Sequence, residues 1–228
     1  MNAYRWSQEN DLDAMLDFVY GPGQQRVWRL WLAGCLRWVI ERRSPEFGNR
    51  HLQMVERLEQ VADQALPMLQ LAISGATLTE DGPFSMALRT AQSLTLTRRE
   101  LDDTIIGLRM CVLLDENVQA DTASDPNNYA LHAQRTNRPL CDCLREMWGD
   151  PFDPVVFAPK WRTQDVRNLA ELIYRDRDWS QMPYLADALL DAGCEDARLL
   201  DHCQQTHHRR GCWLLDGLLG RRKEQGDR

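Results

Sequence analysis

Gln53-Met54-Val55-Glu56-Arg57-Leu58-Glu59-Gln60-Val61-Ala62-Asp63-Gln64-Ala65-Leu66-Pro67-Met68-Leu69 decides the fold class. Val55, Leu58, Val61, Ala62, Ala65, Leu66 and Leu69 recur at steps of three and four. A helix turns about 100° per residue, so this spacing gathers the apolar side chains on one face. The pattern predicts a helix over 50–74. Pro67 predicts a kink or break within it, because proline lacks an amide donor and crowds the preceding turn.

The same period extends in both directions. Upstream, Val27, Trp31, Cys35 and Trp38 form a stripe over 24–43, widened by Leu30 and Leu32, which marks a helix central to the core. Ser44-Pro45 reads as a stop followed by a new start. A shorter helix over 10–19 carries Leu12, Met15, Leu16 and Val19 and stops at Gly21-Pro22-Gly23. Downstream, 75–83 reads as a loop, followed by helices over 84–94 and 98–118, the second bearing Leu101, Ile105, Leu108, Val112 and Leu113. Asp125-Pro126-Asn127-Asn128 is a turn signal. Helices are then expected over 129–136 and 140–148, and finally over 163–176, 182–192, 196–202 and 211–219.

Between these last two groups lies the one long tract without helical period, 149–161. Pro151, Pro154 and Pro159 restrict its backbone to extended conformations. Flexible linkers are polar, whereas this tract holds Phe152, Val155, Val156, Phe157 and Trp161, so it reads as a packed strap. No segment alternates with period two and no repeat is visible. The expectation is an all-α chain, a multi-helix bundle of about 9–11 helices crossed by one proline-rich strap. The corresponding division is an N-terminal bundle (1–148), a strap or linker (149–161) and a C-terminal helical unit (162–228) packed on the first as one domain.

Composition narrows the function classes. A hydrophobic share of 43% and a charged share of 27% are those of a folded chain. The formal charge of −7 argues against binding along a phosphate backbone. The basic clusters at Arg42-Arg43, Arg98-Arg99, Arg209-Arg210 and Arg221-Arg222-Lys223 fall near expected helix ends, where cations complement the helix dipole. The most apolar run is interrupted by Arg29 and Arg37, so no membrane span is expected. The opening Met1-Asn2-Ala3-Tyr4-Arg5-Trp6 has no basic-then-apolar leader. Seven cysteines cannot all pair within one chain, and reduced thiols in a cytoplasm are the expectation.

Chemistry concentrates in Cys194–Trp213, which holds Cys194, His202, Cys203, His207, His208 and Cys212. Thiolates with imidazoles suit a tetrahedral zinc ion. Cys194, His202, His208 and Cys212 form the candidate ligand set. His208 and Cys212, four apart, would share a face if the last helix began early. His202 and Cys203 are neighbours whose side chains diverge by about 100° on a helix, so one site cannot use both. The paired C-x-x-C knuckles of common zinc sites are missing. Cys212 beside Arg209 and Arg210 also has the surroundings of an activated thiol, although Gly211-Cys212-Trp213-Leu214-Leu215 reads as a buried helix opening. Cys141-x-Cys143 is too closely spaced for a knuckle.

Asp187 and Asp191, at i and i+4, share a helix face as an acid/base pair would, and so do carboxylates on any solvated face. Asp191, near a helix end, calls for a cationic partner such as Arg209 or Arg210. Nucleotide-binding and hydrolase glycine motifs are absent. Eight tryptophans at helical spacing indicate core, and an exposed one would mark a protein-binding patch. With no complete catalytic set, the expected function is a non-enzymatic helical interaction or scaffold protein with an unidentified protein partner. The alternative is a zinc-binding protein using the C-terminal Cys/His segment.

Several motifs carry a resemblance. They are Gly149-Asp150-Pro151-Phe152-Asp153-Pro154-Val155 leading to Trp161, Leu185-Ala186-Asp187-Ala188-Leu189, Asp191-Ala192-Gly193-Cys194, and His208-x-Arg210-Gly211-Cys212-Trp213-x-x-Asp216-x-Leu218-Leu219-Gly220. With Trp6, Met15-Leu16-x-Phe18, Arg29-Leu30 and Ala33-x-Cys35-x-Arg37, the chain resembles a family of helical proteins abundant in planctomycete bacteria. The resemblance covers about half the chain, at its two ends, and implies a helical fold without implying an activity, ligand or catalytic residue.

Overall fold

The computed structural model describes residues 1–21, 24–42, 49–64, 97–113 and 129–222. The readings at Pro67, 65–74, 75–83, 84–94, 114–118 and 125–128 lie outside them. Ten α-helices and no strand occur among the described residues. They are α1 (Ala3–Gln8), α2 (Leu12–Val19), α3 (Gln25–Arg42), α4 (Asn49–Gln64), α5 (Arg98–Leu113), α6 (Tyr129–Trp148), α7 (Gln164–Asp176), α8 (Met182–Asp191), α9 (Ala197–Cys203) and α10 (Trp213–Leu218). None of them is long and apolar enough to cross a membrane. The chain divides into two compact units, Met1–Leu144 and Arg145–Arg228, with the boundary inside α6.

In the first unit α3 is the hub. Every residue from Trp28 to Leu36 is buried, a wider band than a single stripe, and α3 packs on both α4 and α5. Val55 and Leu58 are fully buried on α4, and Arg37 on α3 forks onto the buried Glu59 at 3.1 Å. Arg98 pairs with Asp17 at 2.7 Å and Arg109 with Asp13 at 3.1 Å, joining α5 to α2. The helical spacing gives no sign of α1. Local capping makes it: the Asn2 side chain accepts from the Arg5 amide at 2.9 Å, and Trp6 anchors the turn in the core.

One sequence expectation is corrected here. Instead of two helices over 129–136 and 140–148, α6 runs unbroken through Pro139. Proline removes one intrahelical bond, a cost of about 3 kcal/mol that tertiary packing can outweigh. The packing is on the next turn. Leu140 and Leu144 are fully buried, and the Trp31 indole Nε1 donates to the Leu140 carbonyl at 3.2 Å.

The second unit is built on the last four helices. Val166, Ala170 and Ile173 of α7, Leu185 and Leu189 of α8, Leu199 of α9, and Leu214, Leu215 and Leu218 of α10 share one core. Thr163 caps α7 by accepting from the Val166 amide at 3.3 Å, and Asp196 caps α9 by accepting from the Arg198 amide at 3.0 Å. The expectation of extended backbone over 149–161 is corrected in part: Gly149 adopts φ +67° and residues 151–153 bend, and after 154–158 the tract closes in a 3₁₀ turn, Pro159–Trp161. Val155, Phe157 and Trp161 lie against the core of this unit. Phe157 packs against Gly217, where a Cβ would stand 2.1 Å from the tip of its ring. Gly217→Ala is expected to lower the unfolding free energy by about 1–3 kcal/mol, the usual cost of overpacking. Urea titration checks this, and wild-type stability in the variant would refute the contact.

Candidate metal centre

Four buried side chains of the second unit converge: Glu146, His202, His208 and Cys212. One ligand atom from each lies within 4.8 Å of all the others. Glu146 is on the last turn of α6. That turn closes through the Gly149 amide, which donates to the Arg145 carbonyl at 2.7 Å. The Arg222 guanidinium also caps the helix end by donating to the Trp148 carbonyl at 2.5 Å. His202 projects from α9. His208 lies in the connection between α9 and α10, and Cys212 is the residue from which α10 starts, its amide bonded to the Arg209 carbonyl at 3.1 Å.

His202 Nε2 lies 3.2 Å from Cys212 Sγ and 3.5 Å from Glu146 Oε2, while His208 Nδ1 lies 3.2 Å from Glu146 Oε1. Neighbouring donors on a tetrahedral zinc ion stand roughly 3.3–3.6 Å apart, given Zn–N near 2.0–2.1 Å and Zn–S near 2.3 Å. These three donor pairs are therefore spaced nearly as on a coordination sphere, and every pair in the group lies within 4.8 Å. Without an ion, His202 and His208 donate to Glu146 and leave the buried His208 Nε2 with no hydrogen-bond partner. His208 faces Glu146 with Nδ1, the nitrogen it can offer an ion shared with that carboxylate.

The electrostatics are those of a buried anion with imidazole partners. Burial opposes ionisation of Glu146, but hydrogen bonds from His202 and His208 together with their charge bring its carboxyl down to about 2. Burial, and then the adjacent Glu146 charge, push the Cys212 thiol well above its ordinary value. Both effects disfavour the thiolate, the opposite of what an activated nucleophile requires, despite Arg209 and Arg210 nearby in sequence.

Three of the four ligands expected from sequence, His202, His208 and Cys212, come together, although a loop and a helix cap rather than a shared helix face bring His208 to Cys212. Cys194 is outside the group: it is buried in the core of the unit, and burial raises its thiol. Glu146 takes the fourth place. Its signal in the sequence was a carboxylate on the final turn of a helix, where the dipole opposes it, beside the apolar Leu144 and Met147. Cys203 points into the core, as the divergence from His202 requires, and burial pushes it up to about 12. Cys141 and Cys143 are buried on α6.

No family model matches the chain, and neither does any curated protein or solved structure.

Asp187 and Asp191 are exposed on α8, and neither pairs with Arg209 or Arg210. Arg210 instead donates to the Arg175 carbonyl at 3.1 Å and stacks over Tyr174. In the metal-free protein, Glu146→Ala is expected to cost about 3 kcal/mol of stability, because it strips a buried charge network of its centre. Asp187→Asn and Asp191→Asn are expected to stay within about 0.5 kcal/mol of wild type. Urea titration of the three variants checks the contrast, and equal effects would deny Glu146 its central place.

Proposed function

We propose that the second unit is a metal-stabilised helical module that holds a structural zinc ion through Glu146, His202, His208 and Cys212. The single observation behind this is a carboxylate oxygen, two imidazole nitrogens and a thiol sulfur, all buried and within 4.8 Å of one another. Zinc is the ion that favours this mixed oxygen, nitrogen and sulfur set in a tetrahedron. Catalytic zinc sites keep one position for water or substrate. Here four protein donors would close the sphere and burial would keep water out, so the role is to hold the fold. The stretch that resembles the planctomycete family supplies two of the donors, His208 and Cys212. Bound zinc would supply a positive charge that offsets Glu146 and the Cys212 thiolate together.

Protein purified without added metal is expected to carry about one zinc per chain by elemental analysis. Cys212→Ser and His208→Ala lose it, whereas Cys194→Ser keeps it. Free zinc at about a hundred times Kd adds about 2.7 kcal/mol to the stability of a protein that binds it only when folded. Because the ion takes Cys212 as thiolate, binding releases its proton. Affinity then falls as pH falls, by about tenfold per pH unit for each proton released. A chain with no zinc and no stability gain on adding it retires the proposal.

A second reading, a protein-interaction or scaffold role, is favoured by apolar side chains that this unit leaves in water. Val156 on the strap is 82% exposed, and Tyr184 and Leu190 on α8 are 60% and 52% exposed. Tryptophan is not the anchor, because all eight are buried or half-buried. Loss of a co-purifying partner on Val156→Ser supports this reading. A solitary monomer by light scattering, with nothing retained in a pull-down, removes it.

A further inference from the structure

Three of the four donors are supported by one side chain, Trp213. It opens α10, so it follows Cys212 directly in the chain, and it is 8% exposed. Its ring lies 4.8 Å from that of His202, tilted by 48°. It also meets the end of α6, the helix that carries Glu146 on its last turn. Gly149 closes that turn at φ +67°, against the indole. A Cβ built there would stand 3.1, 3.2 and 3.4 Å from Cγ, Cδ2 and Cδ1 of the ring, tighter than ordinary contact. Phe157 of the strap packs on the same residue, with ring centroids 6.2 Å apart.

An indole is a rigid body with two torsions, so neighbours that fix it also fix whatever rests on it. Here those are the end of α6, the imidazole of α9 and the start of α10. His208 is supported separately, its ring 5.0 Å from that of His202 and 6.4 Å from that of Trp179. Donor geometry matters because it selects the ion. Zinc and cobalt(II) accept four donors in a tetrahedron, whereas nickel(II) favours square-planar or higher coordination. Among pliable donors the ordinary order of affinity puts nickel above cobalt.

Resting on the zinc reading above, we infer that Trp213 is a positioning residue that sets the ion preference of the centre. It donates nothing to the ion. By holding the His202 ring, the last turn of α6 and Cys212 against one rigid plate, it keeps the donors at tetrahedral spacing. An ion that needs a flatter or larger set of ligands then has no room to acquire it. The preference for four-coordinate ions comes from packing as well as from donor type.

The test uses the full chain, stripped of metal and titrated separately with zinc, cobalt(II) and nickel(II) against a chromophoric chelator. Wild type is expected to bind cobalt about tenfold more tightly than nickel, with the intense visible absorption of four-coordinate cobalt. In Trp213→Leu the cobalt-to-nickel ratio falls about tenfold and that absorption weakens. Trp213→Phe keeps a flat ring, and its ratio stays within about threefold of wild type. Gly149→Ala displaces the indole without removing it and lowers the ratio in the same direction. Trp213→Leu decides the matter where it folds, and Gly149→Ala decides it where the leucine variant does not. Three results overturn the positioning role alone: nickel preferred by wild type, a ratio that the deciding variant leaves unmoved, or a phenylalanine variant that falls as far as the leucine one. A chain that binds neither zinc nor cobalt overturns the metal reading, and the role of Trp213 falls with it.

Discussion

A carboxylate with 7% of its surface in water has to be compensated, and around Glu146 the second unit has gathered what can do so. Two imidazoles face its two oxygens, and a thiol completes the group. Removing an ion from water costs several kcal/mol, and partners return that only when their geometry is good. The neighbouring features all serve this requirement. The end of α6 is capped so that Glu146 does not fray outward, α9 is fastened at its start so that His202 holds its angle, and α10 begins where Cys212 needs to be.

The strap contributes to the same arrangement from the other side. Phe157 rests on Gly217 of α10, and the Arg162 guanidinium donates to the Gly217 carbonyl at 2.7 Å. The strap's Asp153 reaches Arg198 on α9. A segment with no hydrogen-bonded ladder of its own thus contacts both of the short helices beside the cluster. Its prolines suit this use, since each fixes φ and lacks the amide donor that a helix or sheet would call on.

Much of the fold was legible because it depends on period. α2, α3, α7 and α8 lie within a residue or two of where apolar spacing puts them, and the caps Thr163 and Asp196 mark their helices as capping chemistry requires. The misses have physical causes. α1 is too short for a period to show, and α6 passes through Pro139 because distant Trp31 and buried leucines stabilise the turn after it. At the site, His202, His208 and Cys212 stood out by residue type. Glu146 did not, because it arrives from the far side of the strap and spacing along the chain cannot express that neighbourhood. Cys194 was the natural fourth donor in sequence, yet the turn after α8, closed by the Cys194 amide on the Leu189 carbonyl at 2.9 Å, leaves it in the core.

The sizes of the elements explain why such a centre would matter. α9 has seven residues and α10 six, whereas an isolated helix needs about 12–15 to be even marginally stable in water. Helices this short persist only if something outside them fixes their ends. Leu199, Leu214, Leu215 and Leu218 do part of this by burying apolar surface, a force without direction that tolerates rotation and slip. The cluster adds direction: it joins the last turn of α6, the last turn of α9 and the N-cap of α10 through contacts of defined length. A compact unit with two such helices gains more from one well-placed polar centre than from another leucine, because orientation is what its core leaves undetermined.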